Sequence, residues 1–153
     1  MVGAGREDKK DNDLFYVCSL IEYIARKTKN VRTVVVNSLG KERLEKIYDL
    51  ADVYHCDNID HVCDELIEEA SIEVGDFDNV SECRYAIPSC WDIGKVYKRL
   101  IKQVSRLENI DVIEALVRVY NSFISEKISD YNSSVYYENP SYLLECYRES
   151  TML

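Results

Sequence analysis

The stretch "DIGKVYKRLIKQVSRL", residues 92–107, has the most regular helical spacing in the chain. Its apolar residues recur every three or four positions, at Ile93, Val96, Tyr97, Leu100, Ile101, Val104 and Leu107. This spacing places them along one face of an α-helix and leaves the Lys and Arg residues on the other. Similar patterns precede and follow this stretch, whereas Gly and Pro, 5 and 2 of 153 residues, are too scarce for a β fold with many turns. We therefore predict an all-α fold, a compact bundle of about six or seven helices.

The helical pattern is interrupted at 71–90, an aperiodic stretch with one Gly, one Pro and several acidic residues. We predict a charged, flexible tail over 1–12, an N-terminal helical lobe over 13–70, a connecting segment over 71–90 and a C-terminal helical lobe over 91–150. The pattern leaves open whether the two lobes have separate cores or share one.

Residues 31–38 are ambiguous, because their β-branched run favours a strand while their shortness and their position between two helices favour a helix. We expect a short helix that ends at Gly40. Elsewhere, residues that commonly cap helices precede the apolar runs: Asp13, Asp57 or Asn58, Asp92, Asp111, and Asn139 followed by Pro140.

Acidic residues are concentrated in one part of the chain. The net charge is −9, and residues 41–83 alone hold 14 acids and 3 bases. This balance disfavours nucleic acid, whose phosphates require Lys and Arg, and favours a basic protein partner. We predict that an acidic surface and two tyrosines of a C-terminal cluster bind this partner through Asp49, Asp52, His55, Asp57, Asp60, His61, Asp64, Glu65, Glu68, Tyr136 and Tyr137. The alternatives are a solvated polar face, paired in part with the basic helix at 92–107, and tyrosines that only pack inside the protein.

The six cysteines include no C-x-x-C pair, and the first residues are charged and lack the apolar run of an export signal. No apolar stretch approaches the length that spans a membrane. We therefore expect reduced thiols, a cytoplasmic location and no membrane partner. The sequence does not determine the oligomeric state.

Two histidines and two cysteines, His55, Cys56, His61 and Cys63, lie within nine positions and raise the question of a zinc site. Zinc requires about four ligands that converge on one point. Residues two apart on a helix point about 200° away from each other, so His61 and Cys63 cannot bind the same ion if 58–70 is helical. We predict that Cys63 faces the core, that His61 faces solvent and that the chain holds no metal and no cofactor.

Two other classes of function stay open. A small Cys/His-dependent enzyme or metalloprotein would use His55, Cys56 and nearby acids, although acidic surroundings disfavour a reactive thiolate. A transcriptional regulator would use the helix–short helix–helix pattern at 14–55, although the segment after Gly40 has the wrong charge for contact with phosphates. Because the sequence lacks the Gly-rich and nucleophile motifs of common enzymes, we predict a non-enzymatic protein-interaction module.

Two motifs in the first half, "LFYVCSLIEYIA" at 14–25 and "DVYHC" at 52–56, resemble those of a small helical family of uncharacterised bacterial proteins. The resemblance covers roughly residues 14–70, and its matching positions are Phe15, Val17, Ile21, Glu22, Tyr23, Gly40, Leu44, Ile47, Asp52, Val53, His55, Ile59, Val62, Asp64 and Ile67. Members of that family are often encoded beside proteins resembling ADP-ribosyltransferase toxins. The resemblance therefore implies an antitoxin-like or accessory binding role, with a toxin encoded nearby as the partner. No functional residues are established for the family, whose members are about as long as the first half alone.

Overall fold

The computed structural model describes residues 2–153, with side chains described from residue 9 onward. These residues form nine α-helices, one short 3-10 helix and no β-strand, which confirms the all-α prediction. The helices are α1 (Val2–Thr28), α2 (Arg32–Leu39), α3 (Lys41–Asp49), α4 (Ala51–His55), α5 (Ile59–Glu69), α6 (Cys90–Glu108), α7 (Val112–Tyr120), α8 (Phe123–Ile128) and α9 (Pro140–Glu149), with the 3-10 helix at Val135–Tyr137. Within this part of the chain, no helix combines the length and the apolar character needed to cross a membrane.

Two breaks inside predicted helices raise the number of helices. Residues 41–55, the last helix of the helix–short helix–helix pattern predicted at 14–55, form α3 and α4 instead, with a break at Leu50, whose φ is −109° and ψ 22°. The helix predicted to begin at Asp111 stops where the side chains of Asn121 and Ser122 donate hydrogen bonds of 2.8 and 2.7 Å to backbone carbonyls of its last turn. Such bonds compete with continuation of the helix. Seven of the nine described helices have seven residues or more, so the predicted number fits the longer ones.

Most of the predicted helix caps are confirmed. The side chains of Asn58, Asp111 and Asn139 each accept a hydrogen bond from a backbone N–H two residues later. Asp92, in contrast, does not cap α6. Ser89 is the N-cap, and Asp92 closes a capping box from the third helical position by accepting from the Ser89 N–H.

The first helix extends beyond its predicted start at Asp13. Asp13 is buried inside α1, with only 6% of its side chain exposed, and it accepts a hydrogen bond of 3.1 Å from Lys9 one turn earlier. A carboxylate that bonds to a side chain within the helix does not cap its N-terminus. The prediction of Asp13 as the N-cap is therefore wrong.

Of the predicted flexible tail, 1–12, residue 1 and the side chains of 1–8 lie outside the described part of the chain, and the backbone of 2–12 belongs to α1. Asp11 binds two lysines of α6, with oxygen–nitrogen distances of 2.9 Å to Lys98 and 2.5 Å to Lys102. These salt bridges attach the start of α1 to α6. They join residues distant in sequence, so a local sequence pattern does not reveal them.

The ambiguous segment 31–38 is helical, as expected, and lies largely within α2. Gly40 ends α2 with a φ of 80° and donates its N–H to the carbonyl of Val36. Glycine reaches this conformation without the steric penalty that a side chain would add. The chain can therefore turn directly into α3.

The central helix of the bundle is α1. It packs along α6 and also contacts α2, α3, α4 and α5, while α2 and α3 reach α7. A single core cluster includes Val17 and Ile21 of α1 together with Ile101 and Val104 of α6, each at most 1% exposed. The two lobes that we predicted therefore meet in one core.

Close packing of α1 on α6 depends on Gly94. A Cβ atom at this position would lie 2.2 Å from the Ser19 hydroxyl oxygen and 2.9 Å from the Ser19 backbone nitrogen. Both separations are far below van der Waals contact, so the two helices can approach in this way only if residue 94 has no side chain.

Candidate functional site

The predicted acidic surface lies at the end of α3, along α4 and α5, and on the turn between them. Its seven acids are all exposed: Asp49, Asp52, Asp57, Asp60, Asp64, Glu65 and Glu68. The opposite side of α5 carries Val62, Cys63 and Leu66, which are buried in the core. The amphipathic phase of α5 thus fixes the outward direction of its carboxylates.

Part of this acidic surface is paired with nearby cations. Lys27 of α1 lies 2.7 Å from Asp64, measured from Nζ to Oδ1. The two ring nitrogens of His61 lie 2.9 Å from Asp57 Oδ2 and 3.3 Å from Glu65 Oε1. The hydrogen bond with His61 lowers the pKa of Asp57, and the same bond raises the pKa of His61. These contacts hold His61 between two carboxylates.

Two lysines of α6 pair with α1 and not with this acidic surface. Lys98 and Lys102 bind Asp11 of α1 instead. The acidic helix α5 packs against α1 and α4, so its nearest cation, Lys27, comes from α1. The alternative in which this surface is paired in part with the basic helix at 92–107 is therefore wrong for these two lysines.

The structure separates the four His and Cys residues that suggested a zinc site. Cys63 is fully buried and 59% of the His61 side chain is exposed, which confirms the helical phase that we predicted. The Cys56 thiol donates to a backbone carbonyl one turn earlier, at 3.3 Å. Among the described residues, no three His, Cys, Asp or Glu side chains are grouped so as to hold a metal ion.

The ring of His55 lies in a groove formed by α1, α4 and the first turn of α6. The groove has a volume of about 460 Å³, within the range of small-ligand sites. The ring centroids of Phe15 and Trp91 are 5.4 Å apart, and the His55 ring is 5.4 Å from Tyr16 and 6.5 Å from Trp91. The remaining lining is Lys9, Asn12, Asp13, Ala51, Asp52 and Cys56. Aromatic rings and carboxylates therefore share one concave surface, which we did not predict because it is assembled from three distant segments.

The two predicted tyrosines lie elsewhere in the bundle. Tyr136 and Tyr137 belong to the 3-10 helix, which packs against α6 and α8. The ring of Tyr136 meets Tyr131 and Tyr137 edge to face, at centroid distances of 5.9 and 4.9 Å. Tyr137 is 69% exposed, whereas Tyr136 is half-buried. The candidate residues thus divide into an acidic group on α3–α5 and a tyrosine group of which one ring is exposed.

A buried ionic network that the sequence analysis missed joins α1 to α2. The side chains of Glu22 and Arg32 are both 1% exposed. Arg32 donates from Nε to Oε1 of Glu22 at 2.8 Å and from Nη2 to Oε2 at 2.5 Å. Arg26 also donates to Glu22, at 2.8 Å, and the Tyr131 hydroxyl donates to the same carboxylate. The buried Glu22 carboxylate therefore accepts hydrogen bonds from two cationic side chains and one neutral hydroxyl.

Charge balance keeps this network ionised. Burial alone would raise the pKa of Glu22, but the charges and hydrogen bonds of Arg32 and Arg26 outweigh it and lower that pKa. The network also reaches the connecting segment, because Arg32 donates to Asn79 at 3.3 Å and Arg26 to the Pro88 carbonyl at 2.7 Å. Its burial and its long-range bonds indicate a structural role. The one signal for it in the sequence was the spacing of Glu22 and Arg26, one turn apart at the end of a stretch, 14–25, that is otherwise almost entirely apolar.

No model of a known protein family, no curated protein and no solved structure matches the chain. The resemblance of the first half to a small helical family therefore stays a prediction.

Proposed function

We propose that the chain is a non-catalytic protein-interaction module that binds a basic partner protein through the acidic surface on α3–α5. The observation that carries this proposal is the exposure of all seven acids on one continuous stretch of the bundle. Lys27, 2.7 Å from Asp64, and Lys9, 3.9 Å from Asp52, neutralise only part of that charge. A surface of one sign attracts a partner of the opposite sign and speeds their encounter.

An antitoxin-like role is the more specific form of this proposal. It rests on the resemblance of the first half, which implies a toxin encoded nearby as the partner. A cytoplasmic location fits this role, and it is supported by the six cysteines, all of which are free thiols in the structure. Co-expression with neighbouring gene products tests the role directly. The antitoxin form fails if none of those products binds the chain and none is made less toxic by it.

The acidic surface is tested by removing its charge without touching the core. The triple variant Asp60→Asn, Asp64→Asn, Glu68→Gln neutralises three exposed acids of α5. Its matched control, Glu126→Gln, Glu138→Gln, Glu149→Gln, changes the net charge by the same amount at exposed positions in the C-terminal part of the chain. Affinity for the bound neighbouring gene product is measured by titration calorimetry at several salt concentrations.

We expect the α5 variant to weaken binding by about tenfold or more and to reduce its dependence on salt, because screened attraction between opposite charges supplies the affinity. The control variant should bind nearly as well as the unchanged protein. Equal losses in the two variants would mean that only the overall charge matters, and the proposed surface would then be rejected.

A further inference from the structure

The groove beside His55 combines two features that suit an organic cation. Its walls present the rings of Phe15, Tyr16 and Trp91, and its polar lining includes the carboxylates of Asp13 and Asp52. Aromatic faces attract cations through their electron density, and they also cover an alkyl chain. Carboxylates then hold the charged end.

The structure already places an ammonium group at this position. Lys9 Nζ lies 3.1 Å from Asp13 Oδ2 and 3.9 Å from Asp52 Oδ2, and Lys9 itself lines the groove. More than half of the Lys9 side chain is exposed, so a competing cation could displace it without disturbing the core. Asp13, in contrast, has only 6% of its side chain exposed, and a charge that is so little hydrated is weakly screened.

We propose that this groove is the anchor site for a lysine side chain of the basic partner, which displaces Lys9 from Asp13 and Asp52. The alkyl stem of the incoming lysine lies against the rings of Phe15 and Trp91, and its ammonium takes the position that Lys9 holds in the free protein. The inference rests on the proposed function, because it names the group of the basic partner that the acidic protein recognises. Asp52 belongs both to the groove and to the predicted acidic surface, so the two sites are continuous.

The test uses a short peptide with one lysine flanked by Gly and Ser, and the same peptide with that lysine acetylated. Trp91 is the only tryptophan of the chain and lines the groove, so its fluorescence reports occupancy directly. We expect roughly millimolar binding of the lysine peptide, as suits one short side chain, and no change in fluorescence with the acetylated peptide.

Removal of the internal competitor gives the sharpest outcome. Lys9→Ala should raise the affinity for the lysine peptide by about two- to fivefold, because the incoming lysine no longer has to displace a side chain that is itself more than half exposed and therefore only weakly held. Lys127→Ala, at an exposed position on α8, changes the net charge equally and should leave the affinity nearly unchanged. Asp52→Asn should weaken binding by roughly two- to fivefold, whereas Glu126→Gln should not.

The proposal is overturned if the lysine and acetyl-lysine peptides change Trp91 fluorescence equally, or if Lys9→Ala and Lys127→Ala have the same effect. These outcomes are separable from failure of the proposed function. If the α5 triple variant weakens binding of the whole partner while Asp52→Asn and Lys9→Ala do not alter it, the acidic surface stands and the anchor site fails. If no variant alters binding of the partner, both proposals fail.

Discussion

Replacing Arg32 with Met would leave the Glu22 carboxylate with one cation fewer in a site that water does not reach. Arg32 provides two of the hydrogen bonds to Glu22, at 2.8 and 2.5 Å, and both side chains are 1% exposed. Breaking a buried ion pair on one side costs about 3–5 kcal/mol, since the remaining charge stays buried without compensation. Arg26 still binds one oxygen of Glu22, so we expect a loss at the lower end, about 3 kcal/mol.

This loss should be visible in unfolding by urea and by heat. For a chain of this size it corresponds to a fall in Tm of roughly 6–12 °C. Circular dichroism at 222 nm follows the helices, and Trp91 fluorescence follows the α1–α6 contact. The matched control is Arg148→Met, which removes an exposed pair with Glu145 at 3.0 Å and should cost about 0.5 kcal/mol or less. If the two variants differ by less than about 1 kcal/mol, the buried pair of Glu22 and Arg32 does not stabilise the fold more than an exposed pair does.

Three further predictions address packing, pH and reactivity. Gly94→Ala should lower the free energy of unfolding by about 2 kcal/mol or more, because the new Cβ would clash with Ser19. A stability equal to that of the unchanged protein would show that α1 and α6 can move apart without cost. The pKa of Glu22 is lowered in the folded state, so its stabilising contribution is present above the ordinary value of 4.5 and is lost progressively as pH falls from there toward the lower folded pKa. The difference in unfolding free energy between the unchanged protein and Glu22→Gln should therefore shrink toward acid pH, and a constant difference from pH 7 to pH 3 would contradict this. Iodoacetamide should alkylate the exposed Cys56 in the native protein and leave the buried Cys63 unmodified until the protein unfolds. Burial raises the pKa of the Cys63 thiol to about 12, so little of it is the reactive thiolate. Labelling is followed by peptide mass analysis, and early labelling of Cys63 would refute its burial in the core.

The parts of the fold that were predictable from sequence depend on local information. The periodicity of 92–107 and the caps at Asn58, Asp111 and Asn139 concern residues within one or two turns of each other. The outward direction of the α5 acids follows in the same way from the phase of the helix. Local rules also explain the errors, because Ser89 and Asp92 are both good capping residues and the sequence alone does not decide between them.

The parts that were not predictable depend on contacts between distant segments. Arg32 is the first residue of the short helix α2, and an arginine there would ordinarily be expected in solvent. It is buried because its guanidinium pairs with the buried Glu22 carboxylate. The groove likewise requires Phe15, Asp52 and Trp91 to meet, which no periodic pattern encodes. Only the packing of α4 and α6 on α1 brings these residues together.

The buried network has a kinetic consequence. The bond between Tyr131 and Glu22 joins residues 109 positions apart, and that between Arg32 and Asn79 joins residues 47 apart. Contacts that close such long loops cost chain entropy before they stabilise anything, so we expect them to form after the rate-limiting step of folding. Interactions absent from the transition state act on the unfolding rate and scarcely on the folding rate. These two long-range bonds would therefore lengthen the time for which a folded molecule persists between unfolding events, and with it the resistance to proteases whose cleavage outpaces refolding.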